Sequence, residues 1–349
     1  MRTLVIGDGF IPSSSYLTAF DRQSEPHEVD LRTVEWGGGK AEQHKLQQVM
    51  EVEGANGVDP PTALLDAVPA AQALCLHFAP IGRALIDAAP DLELIAVART
   101  GLENVDVDAA TQRGIGVVQA LGRNAGAVAE LQIGLMLAEA RNIARADAAI
   151  RSGHWRKDFP GARIEIAGST VGMVGFGYVG RVFARRISGF GAHLIAYDPY
   201  ADDAVLAEHG VQRVATLDDV FAPSDFVVVQ VRHSAETDRF IGAAQFKLMK
   251  PSAYFINVSR SRVVHTDALL DALREGRISG AGLDVFDSEP LPPDSPWREL
   301  DNVTMTTHFG GDTEDTNATS AALVAGAVLE YIRTGKVPHA VNAEQLGWR

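Results

Sequence analysis

Short runs rich in Val, Ile, Leu and Phe recur along this chain, each followed by a helix-like segment rich in Ala, Leu, Glu and Arg. This alternation constrains the fold more than any other feature. The runs are Ala73–Leu76, Leu92–Val97, Ile115–Val118, Thr170–Val174, Leu194–Tyr197, Phe226–Val231, Tyr254–Val258 and Val303–Thr306, and Met1–Gly7 reads as an opening strand. Consecutive apolar positions need both faces of a strand covered, and strands joined through helices run parallel. The predicted class is α/β, with doubly wound parallel sheets. The 349 residues leave room for two domains at roughly 100–200 residues each.

Between the runs, Asn124–Ile143 reads as a long helix, with Asn124 as its cap and Val128, Leu131, Leu135 and Leu137 close together on its surface. Arg151–Gly168 is charged and contains Gly and Pro, which predicts a connecting segment before a fresh strand. Asp312–Thr334 reads as an Ala-rich helix ended by Gly335 and Pro338. Gly7-Asp8-Gly9 and Gly37-Gly38-Gly39 read as turns.

The strongest local motif is Gly175-Phe-Gly177-Tyr178-Val179-Gly180, which follows the run Thr170–Val174 and opens a segment with Val179, Val182, Phe183 and Ile187 at helical spacing. Gly175 permits a tight turn, Gly177 lets the backbone approach a pyrophosphate, and Gly180 lets the helix pack closely on its strand. The helix start offers free N–H groups and a positive dipole end to phosphates. A second run ends at Asp198, about 20 residues past the motif, where a carboxylate accepts hydrogen bonds from a ribose diol and repels a 2′-phosphate. The motif predicts a dinucleotide site that prefers NAD to NADP.

Composition excludes several other classes. Lys and Arg number 31 against 45 Asp and Glu, a net charge of −14, whereas gripping a nucleic-acid backbone needs an excess of cations. Hydrophobic content of 46% and 22% charged residues describe an ordinary globular protein rather than a disordered one. No apolar run approaches the ~18 residues that span a bilayer, and the most apolar helical stretch, Leu131–Leu137, is flanked by Glu130 and Glu139. The apolar part of the N-terminus is too short for a signal peptide. One cysteine, Cys75, makes neither an internal disulfide nor a Cys-rich zinc site, so no metal is expected, and a cytoplasmic protein is.

Three polar residues lie just past predicted strands: Arg260 after Tyr254–Val258, Glu289 in the segment from Leu283 to Pro290, and His308 after Val303–Thr307. In parallel sheets that edge binds ligands. Their chemistry suits hydride transfer to and from a 2-hydroxy acid. A histidine takes and returns the hydroxyl proton, a carboxylate fixes its tautomer, and an arginine holds a substrate carboxylate by two prongs. Taken singly, each has an ordinary structural reading, and spacing alone does not bring the three together.

At these positions the sequence resembles the D-isomer-specific 2-hydroxyacid dehydrogenase family, from about Ala73 to Val341. The resemblance is carried by Gly101-Leu-Glu-Asn104-Val-Asp106 with Ala109 to Val117, by Asn124 to Glu130, by Phe255-Ile-Asn257-Val-Ser-Arg260, by Leu283 to Pro290, and by Thr307-His308-Phe-Gly-Gly311. It implies a flavodoxin-like substrate domain of residues 1–122 and 310–349, an inserted NAD-binding Rossmann domain of residues 123–309, and an active site in a cleft closed by hinge motion. It also implies that Arg260 holds substrate, that Glu289 orients His308, and that His308 is the acid/base. The backbone around Thr100 and Gly101 would bind the substrate carboxylate, with Arg99 beside it. Asp284 would contact the nicotinamide carboxamide, with Ser259 also on the cofactor side. A homodimer is expected, as in the family.

Departures from the family pattern include Ser261, His265, Thr307 and Leu121, and in the substrate loop Arg99 and Glu103. Arg99 and Arg123 could recognise a second anionic group or simply pair with nearby acids. A non-enzymatic NAD(H)-sensing protein of the corepressor type is the alternative reading. A specialist on formate is disfavoured because Glu289 stands where such relatives carry Gln. Because the sequence ends soon after its last predicted helix, no added regulatory domain is expected. Glyoxylate, hydroxypyruvate, phosphoglycerate and sugar-acid substrates all remain open.

Overall fold

A computed structural model describes residues 1–349, which form two compact units: residues 1–124 with 313–349, and residues 125–312. In the first unit, β1 (Arg2–Gly7), β2 (Asp30–Glu35), β3 (Ala73–Leu76), β4 (Leu94–Val97) and β5 (Gly116–Gln119) pair in the order β2-β1-β3-β4-β5, all parallel. Successive side chains of a strand point to opposite faces. Leu74, Leu76, Ile95 and Val97 therefore join one core layer, while Val5, Cys75, Leu94 and Ala96 join the other, against Val324 and Val328 of the C-terminal helix Glu314–Thr334. That helix starts at Thr313, whose hydroxyl accepts from the Thr316 amide, and ends at Gly335 in the left-handed conformation, φ +72°.

The second unit holds β6 (Thr170–Val174), β7 (His193–Tyr197), β8 (Val211–Arg213), β9 (Phe226–Val229), β10 (Tyr254–Asn257), β11 (Gly280–Leu283) and β12 (Val303–Met305). They form one parallel sheet in the order β12-β11-β10-β9-β6-β7-β8. The helix Ala125–Arg141 buries Leu135, Met136 and Ala140 on one face of this sheet, beside Tyr254 and Ile256. No helix is long and apolar enough to cross a membrane.

Three strands lie outside the apolar runs of the sequence, each for a physical reason. The edge strand β2 is largely exposed, so it carries no apolar run, and β8 is a three-residue edge. The interior strand β11 reads Gly-Ala-Gly-Leu because the helix Ala125–Arg141 presses on it: a Cβ at Gly282 would lie 2.8 Å from Leu135 Cβ, and one at Gly280 would collide with the Glu139 carboxylate. Glu139 itself is buried against Arg145 at 2.9 Å. Residues 152–169 form neither helix nor strand, as a connecting segment should.

The outer edge of β5 is covered by the C-terminal segment. The Val341 amide donates to Val117 O (2.8 Å), and the buried Asn342 side chain accepts from Val117 N (3.0 Å) while donating to Ile115 O (2.9 Å) and Thr111 Oγ1 (2.8 Å). Asn342→Ala leaves those groups unpartnered, at a cost of about 1–3 kcal/mol. Hydrogen exchange at Ile115–Val118, followed by mass spectrometry, should accelerate about tenfold or more. Unchanged exchange there would show that Asn342 does not hold this edge.

Candidate active site

The glycine motif occupies the turn from β6 into the helix Tyr178–Ile187. Gly175 sits at φ +98°, and a Cβ there would lie 2.9 Å from Val231 Cγ1. A Cβ at Gly180 would lie 2.8 Å from Gln230 Oε1 and 3.1 Å from Phe176. Around Gly177, by contrast, nothing lies within 4 Å of the Cβ position. Two glycines thus serve packing, while the third keeps an open cradle at a helix start whose first N–H groups have no helical partner, the arrangement a pyrophosphate needs. Tyr178 is half exposed at that start, and Val179 is partly buried.

Asp198 follows β7 directly. Its Oδ2 accepts from the Phe176 amide (2.7 Å) and its Oδ1 from the Tyr200 amide (2.8 Å), which anchors the carboxylate to the glycine turn and leaves a lone pair on each oxygen for a ribose diol. The nearby Arg213 donates to Asp203 and to the carbonyls of Asp198 and Ala201, so its charge is already engaged. These residues fit a dinucleotide without a 2′-phosphate.

Asn257, Leu283 and Met305, near the ends of β10, β11 and β12, are register partners, so the loops that follow leave the sheet side by side. This brings Glu289 and His308 together: His308 Nδ1 donates to Glu289 Oε2 at 2.7 Å, and Glu289 Oε1 accepts from the Phe286 amide at 2.8 Å. His308 sits at φ +56°, a conformation that L-residues seldom adopt and that surrounding structure must hold. The buried Asp284 holds it: Oδ1 accepts from Thr306 Oγ1 (2.5 Å) and the Phe309 amide (3.2 Å), and Oδ2 from the Gly310 amide (2.9 Å). One lone pair of Oδ2 is left over.

Arg260 lies exposed in the loop after β10, its Nη1 donating to Ser259 O at 2.7 Å. The backbone beneath it is clamped by buried Asn257, whose Oδ1 accepts from Ser259 N (3.0 Å) and Oγ (2.8 Å) and whose Nδ2 donates to Arg260 O (3.0 Å). Asn257, Thr306 and the amide pair Gln132–Gln230 (2.9 Å) support the site and were not singled out from sequence. The usable signal was polarity out of place, since buried polar groups need partners: Asn257 interrupts an apolar run, and Gln132 an apolar helix.

In the first unit, Arg99, Thr100 and Gly101 follow β4. Arg99 is mostly buried, 3.3 Å from Glu103, with its guanidinium over the Phe78 ring. Thr100 Oγ1 donates to Ala120 O at 3.5 Å, and the Glu103 carboxylate lies against Gly101.

Comparison with known proteins gives this geometry its context. Residues 133–310 match the family model described as D-isomer specific 2-hydroxyacid dehydrogenase, NAD binding domain. The chain is 42% identical to a D-3-phosphoglycerate dehydrogenase of Mycobacterium leprae over 86% of its length, but spans only 56% of that relative. It is 38% identical to a glyoxylate reductase of Thermococcus litoralis, covering 76% of this chain and 82% of the relative. The structure of a glyoxylate reductase from Paecilomyes thermophila superposes with a TM-score of 0.71 over 99% of both chains, and at 24% identity it speaks for the fold alone. The chain belongs to the D-isomer-specific 2-hydroxyacid dehydrogenase family, and residues 133–310 are its NAD-binding domain.

Replacing the Asp198 carboxylate tests whether it faces a ribose. Asp198→Ser should weaken NADH about tenfold, as expected for loss of a charge-assisted hydrogen bond, and narrow the preference over NADPH. Fluorescence titration reads both. A wild-type protein that binds NADPH as well as NADH would overturn the role of Asp198.

Proposed function

We propose that this chain is an NAD-dependent oxidoreductase that interconverts a D-2-hydroxy acid and its 2-keto acid. The observation that carries the reading is the His308–Glu289 pair, set on the same sheet edge as the glycine cradle of an NAD-binding domain. The pyrophosphate would rest on Gly175, Gly177, Tyr178, Val179 and Gly180, the ribose on Asp198, and the nicotinamide end on Ser259 and the remaining lone pair of Asp284. When bound, NAD(H) supplies or accepts the hydride.

The chain's own residues handle the proton and the charge. With Nδ1–H committed to Glu289, His308 presents Nε2, which takes the hydroxyl proton during oxidation and returns it during reduction. The Glu289 carboxylate stabilises the imidazolium that forms. Arg260 binds the substrate carboxylate through its planar fork and polarises the carbonyl. On the first unit, the backbone at Thr100 and Gly101, with Arg99, offers a surface for a carboxylate. The intact acid/base pair favours an enzyme over a sensor.

The same reading includes a homodimer in the cytoplasm. The helix Ile143–Arg151 buries none of its residues, and Ile143, Ile150 and Trp155 are 55%, 59% and 80% exposed, an apolar surface that a second copy would cover. A free, buried Cys75 suits a reducing compartment.

A screen of NADH oxidation over a panel of 2-keto acids tests the activity. His308→Ala should lower turnover about a thousandfold while leaving NADH affinity within about twofold, because general acid–base catalysis contributes typically 10²–10⁴-fold. Arg260→Lys should lose most of its kcat/KM, since an ammonium cannot reproduce the fork. Wild-type turnover in the His308 variant would remove that residue from the mechanism.

A further inference from the structure

The loop that carries Glu289 is tied to the rest of the second unit by a contact that the proton chemistry leaves unused. From Leu283 the chain runs through buried Asp284 and Val285 to Phe286, whose ring stands edge-on to Trp297, 6.2 Å between centres at 67°. The chain returns to that core at Leu291. Between these points Asp287, Ser288, Glu289 and Pro290 are all exposed. A glutamate on such a stretch has little packing to set its position. Two hydrogen bonds act in its place. Glu289 Oε1 accepts from the Phe286 amide at 2.8 Å, and the Asp287 carboxylate accepts from the hydroxyl of Thr266.

Thr266 is a firm anchor. It opens the helix Thr266–Arg274, which buries Leu269, Leu270, Ala272 and Leu273 in the core that also takes in Leu283 and Trp297. Just before it, Val264 forms a parallel bridge with Ile241, and the His265 amide donates to Ile241 O at 2.8 Å. The cap position is unusual. His265 stands there and its side chain makes no capping bond, where Asp, Asn, Ser or Thr ordinarily supplies an acceptor. Negative charge at this helix start comes from Asp267 in the first turn and from Asp287 on the neighbouring loop. A hydrogen bond to an ionised carboxylate is among the stronger kinds. This one gives the loop a fixed point two residues before Glu289.

From this we infer that Thr266 and Asp287 are positioning residues for the acid/base pair: together they set where the Glu289 carboxylate stands, and thereby which nitrogen His308 presents. The inference rests on the hydride reading proposed above, while the tie between loop and helix is tested independently of turnover. Neither side chain hydrogen-bonds to His308, so both act through Glu289. A neutral imidazole has two tautomers, and the one with its proton on Nδ1 is selected by an acceptor held at that nitrogen. Glu289 Oε2 is that acceptor, at 2.7 Å. When residues 287–289 drift, the carboxylate spends part of its time elsewhere, and fewer molecules hold a lone pair ready on Nε2. A misplacement of about 1 Å can cost on the order of 10²-fold in rate, so disorder confined to this exposed stretch is large enough to read in turnover.

The experiment has two arms, both on the whole protein. Thr266→Val removes the hydroxyl at nearly constant shape, and Thr266→Ser keeps it. In the first arm, hydrogen exchange is followed by mass spectrometry. The amides of residues 286–289 should exchange about tenfold faster in the Val variant, equivalent to about 1.4 kcal/mol, and at the wild-type rate in the Ser variant. In the second arm, NADH oxidation is followed with the best 2-keto acid of the panel. Thr266→Val and Asp287→Ala should each lower kcat about tenfold with NADH affinity within about twofold, and Thr266→Ser should restore kcat. In a Glu289→Ala background, where no carboxylate is left to place, Thr266→Val should lower the residual kcat by less than about twofold. Unchanged exchange at residues 286–289, a Ser variant as impaired as the Val variant, or the same loss of kcat with and without Glu289 would overturn the positioning role. Exchange that responds as expected, with no 2-keto acid turned over by wild type, would overturn the hydride reading and leave the tie between loop and helix standing.

Discussion

Parallel pairing is the constraint on which the rest of the structure depends. Every strand of each sheet runs in the same direction as its neighbours, so within a unit every strand-to-helix loop leaves by one edge. In the second unit this gathers the glycine turn after β6, Asp198 after β7 and the loops after β10, β11 and β12 along a single line. The register Asn257–Leu283–Met305 then carries residues far apart in sequence to a 2.7 Å hydrogen bond between Glu289 and His308. In the first unit the same rule brings Asp8, His77 and Arg99 to the edge where the strand order reverses.

The exposed residues of the proposed acid/base chemistry rest on buried polar ones. Asp284 spends three of its acceptor positions on the loop that carries His308, and Asn257 clamps the backbone under Arg260. These bonds form in surroundings where water does not compete, so they hold a residue such as His308 in a backbone conformation it would not adopt unaided. The supporting residues touch no substrate in the proposed chemistry, yet they decide where the acid/base group points.

Much of this was legible in the sequence. The apolar runs correspond to β3, β4, β5, β6, β7, β9, β10 and β12, because a strand covered on both faces must be apolar along its whole length. The glycine turn was legible because a left-handed Gly175 and a close helix admit no side chain. The strands β2, β8 and β11 were not. The first two are edges with little to bury, and β11 is built from glycines whose purpose is visible only once the helix Ala125–Arg141 is seen lying on them.

By itself, the sequence determined the α/β class with two parallel sheets, the glycine turn of the NAD-binding domain and the residue types of the proposed acid/base chemistry. It did so because these depend on local periodicity, glycine conformation and side-chain identity. Tertiary structure alone decided that Glu289 meets His308, that Asp284 and Asn257 are supports, and that His77 and Arg99 flank one ring. Those facts depend on strand order and register, which arise from pairing between distant segments and leave no trace in the spacing of residues along the chain.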